Sequence, residues 1–351
     1  MTAPGKYLDA LVERRVPGIQ YRALGPGGVL LEYDGGWADL ARRTTMSATT
    51  TMMAYSMSKT ITAAAVLQLV AAGSVGLDDP VERYVPTPYG RAITVRQLVA
   101  HLSGIPNPVP LRWVHPVSQH AGFDERRALG AEMAAHPRLA AEPGTRFRYS
   151  NLGYWLLGEV VSVAAGGRGF ESYVSERVLA PLGITAPEVG YAIVDGTPHA
   201  NGYLEKYSLL NIIKGLVIDR WYIGSYEGRW LRIEPHYLNG PAFGGLVGSA
   251  SGFAKFLLDQ LQPSSAILEP RARELFYSQQ QTSQGKPIPM TLGWHVGRLG
   301  RVPFFFKEGG GGGFHCEMRI YPTPGVGTIV MTNATAFDVK RCLNALDRQF
   351  L

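Results

Sequence analysis

The 351-residue sequence contains only two cysteines, Cys316 and Cys342. Two cysteines make no disulfide framework. Both fall in segments that read as buried strand or helix, so reduced core thiols are expected. Lysine is scarce as well, with eight residues against 26 arginines. The formal charge of +6 is therefore carried by arginine. It comes in short pairs, Arg14-Arg15, Arg42-Arg43 and Arg126-Arg127, not in the runs or one-sided clusters of nucleic-acid binders. No nucleic-acid partner is expected. Long hydrophobic runs are also missing. The longest, at 61–72 and 209–218, are too short to cross a bilayer. The first 18 residues carry Asp9, Glu13, Arg14 and Arg15 where a secretory leader would have an apolar centre. These features read as a soluble cytoplasmic chain with no membrane span. Charged residues make up 18% and hydrophobic residues 46%. That balance excludes disordered, collagen-like and coiled-coil classes and leaves a globular protein with a sizeable core.

Familiar hydrolytic signatures are absent too. There is no Gly-x-Ser-x-Gly elbow, which argues against an α/β-hydrolase. There is no His-Glu-x-x-His, and the eight histidines are scattered, which argues against a zinc hydrolase. No metal or cofactor is expected. His101 and His295 read as structural. His315 lies on a strand whose faces alternate, close enough to a glycine run to line a site.

Glycine is plentiful, at 42, and five residues in a row, Gly309 to Gly313, are glycine. Strand signals lie at the two ends of the chain. A hairpin is predicted from 19–23 and 29–33 around Gly25-Pro26-Gly27-Gly28. Three more strands are predicted at 291–296, 314–321 and 327–332. Helices are predicted at 7–12, 56–72, 95–100, 124–135, 154–164, 170–178, 251–261, 271–278 and 336–350. A sheet fed from both ends implies one α/β domain, 1–80 plus 240–351, interrupted by a helical domain at 81–239.

Three short patterns carry chemistry. In Ser56-Met57-Ser58-Lys59 the serine and lysine are one helical turn apart, on one face. A lysine desolvated there, or set near other cations, loses basicity and can accept the serine proton. A serine in the first turn also offers its N–H to an oxyanion. The same spacing recurs at Ser283-Gln284-Gly285-Lys286, in a turn where no helix fixes the geometry. In Tyr149-Ser150-Asn151 the tyrosine can relay a proton, provided that neighbouring ammonium groups lower its pKa. Asn151 can hold the lysine and a substrate carbonyl. A competing Tyr237-Leu238-Asn239 exists. In Lys307-Glu308-Gly309-Gly310 a cation precedes bare backbone, which lets an acyl group approach a strand closely. The N–H of Gly310 is a candidate second oxyanion donor.

Together, in this order, Ser-x-x-Lys, Tyr-x-Asn and Lys-x-Gly resemble the serine β-lactamase and penicillin-binding-protein superfamily. The likeness is to the class C-like branch that holds family VIII esterases, D-aminopeptidases and acyltransferases. Gly76-Leu77-Asp78-Asp79-Pro80-Val81, the segment 93–106 and the lead 143–151 are similar to the same branch. The resemblance covers roughly residues 50–350, with a gap at 203–238. It implies an α+β fold, an α/β sandwich whose antiparallel sheet of about five strands is flanked by helices, with a mostly helical inserted domain. It also implies an acyl-enzyme mechanism. Ser56 would attack, Lys59 and Tyr149 would handle protons, and the N–H groups of Ser56 and Gly310 would hold the oxyanion. Asn151 would position Lys59 and substrate. Lys307 would keep Tyr149 acidic, and Gly309 would lie at the acyl site.

Two departures bear on the substrate. The middle residue of Lys-x-Gly is usually a hydroxyl residue that helps bind a carboxylate; here it is Glu308. A negative charge there would repel a carboxylate, so a neutral ester or amide, or an amine-bearing substrate, is expected. The segment 203–238 holds Tyr207, Trp221, Tyr222, Tyr226 and Trp230. It reads as a helical wall, or as an aromatic lid in which Trp221 and Trp230 cover a bulky substrate. The leading function is a carboxylic-ester hydrolase acting on a small-molecule acyl substrate. An acyl- or amide-transferase, a D-amino-acid peptidase or weak β-lactamase, and a non-catalytic relative remain open. Oligomeric state is not readable.

Overall fold

A computed structural model of the chain describes residues 3–89, 93–108, 112–208, 211–212, 214 and 219–351. Helix α1 (Ala3–Arg14) leads into strands β1 (Gly18–Gly25) and β2 (Gly28–Asp39), followed by the two-residue β3 (Thr44–Thr45). A 3-10 turn, Tyr55–Met57, opens α2 (Ser58–Ala71). Three helices follow: α3 (Val95–Val99), α4 (Glu125–Ala135) and α5 (Asn151–Ala164). Each starts from a side-chain cap, Thr94, Asp124 and Ser150, that accepts from an otherwise unpaired N–H.

The main sheet is completed from the far end of the chain. After α6 (Ala250–Leu261) and α7 (Pro270–Tyr277) come β7 (His295–Leu299), β8 (Val302–Gly310), β9 (His315–Tyr321) and β10 (Val326–Thr332). Helix α8 (Val339–Asp347) closes the fold. The strand order is β7-β8-β9-β10-β1-β2-β3, and each neighbouring pair is antiparallel. Pairing of β1 with β10, from Ile19↔Thr332 to Leu24↔Gly327, joins the two ends of the chain.

Strand β10 shows why this is a sandwich. Ile329 and Met331 point into the core with α2 and α6, whereas Val330 joins Leu8, Tyr21, Leu343 and Leu346 on the face covered by α1 and α8. All seven of its residues are buried, so it reads as a continuous apolar run. Two buried arginines tie the layers together. Arg22 is bidentate to Asp34 and bonds Ser251 on α6. Arg319 holds Glu317 and Asp347, the latter on α8.

Several expectations need correction. Among the described residues the sheet has seven strands, not about five: β8 and β3 are added. The strand expected at 291–296 begins only at His295, because Gly293 at φ +134° and a Thr291–Trp294 turn occupy its start. The final helix starts at Val339 rather than 336, since Ala336 is left-handed (φ +62°) and Asp338 is the cap. The middle of the chain is not simply helical. Residues 202–233 contain a small antiparallel sheet of β4 (Gly202–Glu205), β5 (Ile223–Glu227) and β6 (Trp230–Ile233), in the order β4-β6-β5. Gly228 at φ +64° turns β5 into β6. Of the apolar run 209–218, only Asn211, Ile212 and Lys214 lie among the described residues. No helix among the described residues is long and apolar enough to cross a membrane.

Candidate active site

Ser56 stands where a strand end is forced into a helix. Met52 and Met53 pair with Gly248 and Val247, and Ala54 N–H bonds Leu246 O. Tyr55 then takes a left-handed conformation, φ +44°, which a bulky residue adopts only when its surroundings hold it. The chain turns there into α2, leaving Ser56 in a first turn whose N–H has no intrahelical partner. One turn on, Lys59 Nζ is 2.9 Å from Ser56 Oγ. It also donates to Asn151 Oδ1 at 2.7 Å and to the Phe243 carbonyl at 2.6 Å. Tyr149, on the turn capped by Ser150, donates its hydroxyl to Ser56 Oγ at 2.8 Å. Lys307 reaches in from β8, with Nζ 5.6 Å from the Tyr149 ring centre and no hydrogen-bond partner among the described residues.

Burial governs the charges. Lys59 is fully buried, and desolvation, helped by the nearby Lys307, holds its pKa well below the usual lysine range. Nζ donates to the Asn151 and Phe243 carbonyls and lies within hydrogen-bond distance of Ser56 Oγ, close enough to exchange a proton with it. Burial likewise pushes Lys307 down to about 7. The expectation that ammonium groups would make Tyr149 acidic is not met. Its burial raises its pKa, and the charge of Glu308 adds to the rise. Tyr149 is therefore a protonated donor at neutral pH.

The strand supplies the second candidate oxyanion donor. Gly310 lies opposite His315, and the next residue, Gly311, bonds its N–H to Phe314 O. Hydrogen-bonded and non-bonded pairs alternate in an antiparallel ladder. The Gly310 N–H therefore points away from β9, and Gly310 lines the same cavity as Ser56. At Gly309 a Cβ would lie 3.0 Å from Ser56 N and closer still to Ala54 O, so only glycine lets β8 approach the nucleophile turn. The cavity is about 230 Å³ and is lined by Tyr55, Ser56, Val114, Asn151, Tyr222, Leu238, Phe243 and Gly244, with Gly310 to Gly312. Among the described residues, no Asp, Glu, Lys or Arg lines it.

Other sequence candidates fall elsewhere. The Glu308 carboxylate is 2.7 Å from His315 Nε2, and neither residue lines the cavity. Trp230 packs with Leu8, Ile19 and Tyr203 behind the sheet, and Trp221 stacks edge-on with Tyr222. It is Tyr222 that reaches the cavity. Ser283 and Lys286 lie in a separate turn, with Gly285 at φ +76°. The Tyr237 hydroxyl accepts from Ile193 N–H, and Asn239 bonds His115. Sequence reasoning missed Tyr55, Phe243 and His236, which carry no motif. It also left out of the site His101, whose ring lies 4.3 Å from that of Tyr149 while its Nδ1 accepts from Ser150 N–H.

This assembly is that of a family, and comparison with known proteins gives the family directly. A family model described as Beta-lactamase matches residues 5–349. The chain belongs to that family, whose wider superfamily consists of serine hydrolases and acyltransferases. It is 27% identical over 186 residues to Protein flp of Staphylococcus aureus (strain MW2), covering 50% of this chain and 36% of that protein. It is 23% identical over 279 residues to a penicillin-binding protein of Bacillus subtilis (strain 168), covering 76% and 57%. The chain thus spans between about a third and somewhat over half the length of these relatives. Among solved structures, the octameric penicillin-binding protein homologue from Pyrococcus abyssi superposes with a TM-score of 0.78 at 23% identity, covering 98% of this chain and 76% of that one. The D-amino acid amidase from Ochrobactrum anthropi SV3 gives 0.79 at 22% identity, covering 99% and 98%. At these identities the likeness is one of fold.

Proposed function

We propose that the protein hydrolyses neutral carboxylic esters through an acyl-enzyme on Ser56. The observation that carries this reading is the geometry at Ser56 Oγ: the Lys59 amine 2.9 Å away on one side and the Tyr149 hydroxyl 2.8 Å away on the other. Lys59 takes the Ser56 proton as Oγ bonds to the ester carbonyl carbon. The Ser56 and Gly310 N–H groups hold the oxyanion. Tyr149 gives its proton to the departing alkoxide and is reprotonated by the Lys59 ammonium. Water then attacks the acyl-enzyme, its proton leaving by the same pair, and acid and free Ser56 result.

Neutrality of the substrate is supported by the cavity, which among the described residues is lined by no Lys or Arg, rather than by Glu308. The test is steady-state kinetics on p-nitrophenyl acetate, nitrocefin and benzylpenicillin. The ester is expected to react faster, with activity lost in Ser56→Ala. A β-lactam hydrolysed as fast as the ester overturns the substrate assignment. Product analysis with an added amine acceptor distinguishes hydrolysis from acyl transfer.

A further inference from the structure

Two rings press on the glycine segment that walls the cavity. The Tyr55 ring lies 2.5 Å from where a Gly311 Cβ would stand, and the Tyr222 hydroxyl overlaps the Cβ position of Gly312. The segment is glycine at these positions because the rings occupy the space. The two hydroxyls converge on His236 Nε2, at 3.1 Å from Tyr55 and 2.9 Å from Tyr222. The other ring nitrogen, Nδ1, donates to Glu234 O at 3.0 Å. Burial holds the His236 pKa down at about 4, so the ring is neutral and Nε2 is an acceptor.

The Tyr55 hydroxyl donates to Gly312 O at 2.6 Å, and the Tyr222 hydroxyl donates to His236. Both hydroxyl protons are committed inside the wall, so the two tyrosines offer neither charge nor a free donor to an acyl group. The wall is also fixed. Tyr55, Tyr222 and His236 are 5%, 4% and 2% exposed, and Glu234 N–H bonds Tyr222 O. What space remains, about 230 Å³, is below the usual range for ligand pockets, roughly 300–1,000 Å³.

We propose that Tyr55, Tyr222 and His236 form a length gauge that restricts the acyl group to short, neutral chains. The gauge rests on the reading of Ser56 as the acyl acceptor. None of the three is placed in the proton-handling set, so their effect belongs to selectivity. One methylene in an apolar pocket is worth about tenfold or more in rate, so a fixed wall gives a sharp cutoff.

The test is kcat/KM for p-nitrophenyl acetate, butyrate and octanoate with the wild type, Tyr222→Ala, Tyr222→Leu and Tyr222→Phe, each checked for folding by its Tm. The wild type should prefer butyrate to octanoate by at least about tenfold. Tyr222→Ala, or Tyr222→Leu if the alanine variant does not fold, should erase that ratio. Tyr222→Phe keeps the ring and should keep the preference. A wild type that takes octanoate as well as butyrate overturns the gauge, and so does a folded Tyr222→Ala that keeps the short-chain preference. In both cases Ser56 still reacts and the parent reading stands. A wild type that turns over none of the esters, and whose Ser56 takes no label from a small fluorophosphonate, overturns the parent reading and the gauge with it.

Discussion

In the proposed mechanism, burial is what lets Lys59 act as a base. In water its amine would be protonated and would have no lone pair for Ser56. Lys59→Met should therefore lower kcat/KM for p-nitrophenyl acetate by about 10²–10⁴-fold, with the fold kept. In the wild type the acid limb of the pH–rate profile should fall below the ordinary lysine range, because protonation of Lys59 removes the acceptor. An acid limb near pH 10 would show that Lys59 titrates as a solvated amine and is not the base. Lys307 gives a stability prediction with a definite sign. Its pKa falls from 10.5 to about 7 on folding. Between about pH 7 and 10 the unfolded chain binds a proton that the folded one does not, so stability rises with pH across that window. Below it both states are protonated, and the cost is full, on the order of 4–5 kcal/mol at 1.36 kcal/mol per pKa unit. Lys307→Met should thus raise Tm more at pH 6 than at pH 9.5, and equal gains at the two pH values would contradict the assignment. At this scale much was legible. Ser56, Lys59, Tyr149 and Asn151 meet as their spacing suggested. The charge state of Tyr149 was not, because a sequence shows neighbours but not desolvation.

Elements hold these atoms in register, and the glycine segment is the part most in need of holding. Thr335 does so from outside the cavity. Its Oγ1 accepts from Gly313 N–H at 2.6 Å and donates to Gly311 O at 3.1 Å. Thr335→Val keeps the shape and removes both bonds. It should lower kcat by roughly ten- to a hundredfold through misplacement of the neighbouring Gly310 donor, and stability by about 2 kcal/mol. Thr335→Ser should restore both. Unchanged kcat in the valine variant would show that the segment is rigid without the clamp. Helices such as α2, α5 and α6 were readable from cap residues and apolar runs. Strand β8 was not among the predicted strands, because Phe304-Phe305-Phe306 followed by glycines shows no alternation. The small sheet β4–β6 was hidden by the apolar run beside it, although Glu227-Gly228 marked a turn.

The molecule as a whole depends on pairing its beginning with its end through β1 and β10. The most consequential buried charge on that sheet is Arg319, at 0% exposure, between Glu317 and Asp347 at 1% and 0%. Arg319→Leu would leave two buried carboxylates without their cation. It should cost about 3–5 kcal/mol in urea denaturation and leave the activity per folded molecule unchanged. A loss below 1 kcal/mol would mean that the two carboxylates are protonated or hydrated without it. No sequence signal marks this cluster, since Asp347 lies 28 residues from Arg319 and all three look like surface charges. The central claim, acylation of Ser56, is tested most directly by intact-mass spectrometry of enzyme quenched during turnover of p-nitrophenyl acetate, with peptide mapping. One acyl group on Ser56, absent from Ser56→Ala along with the activity, is the predicted result. Ester hydrolysis that persists in Ser56→Ala, or an adduct that maps elsewhere, would contradict it.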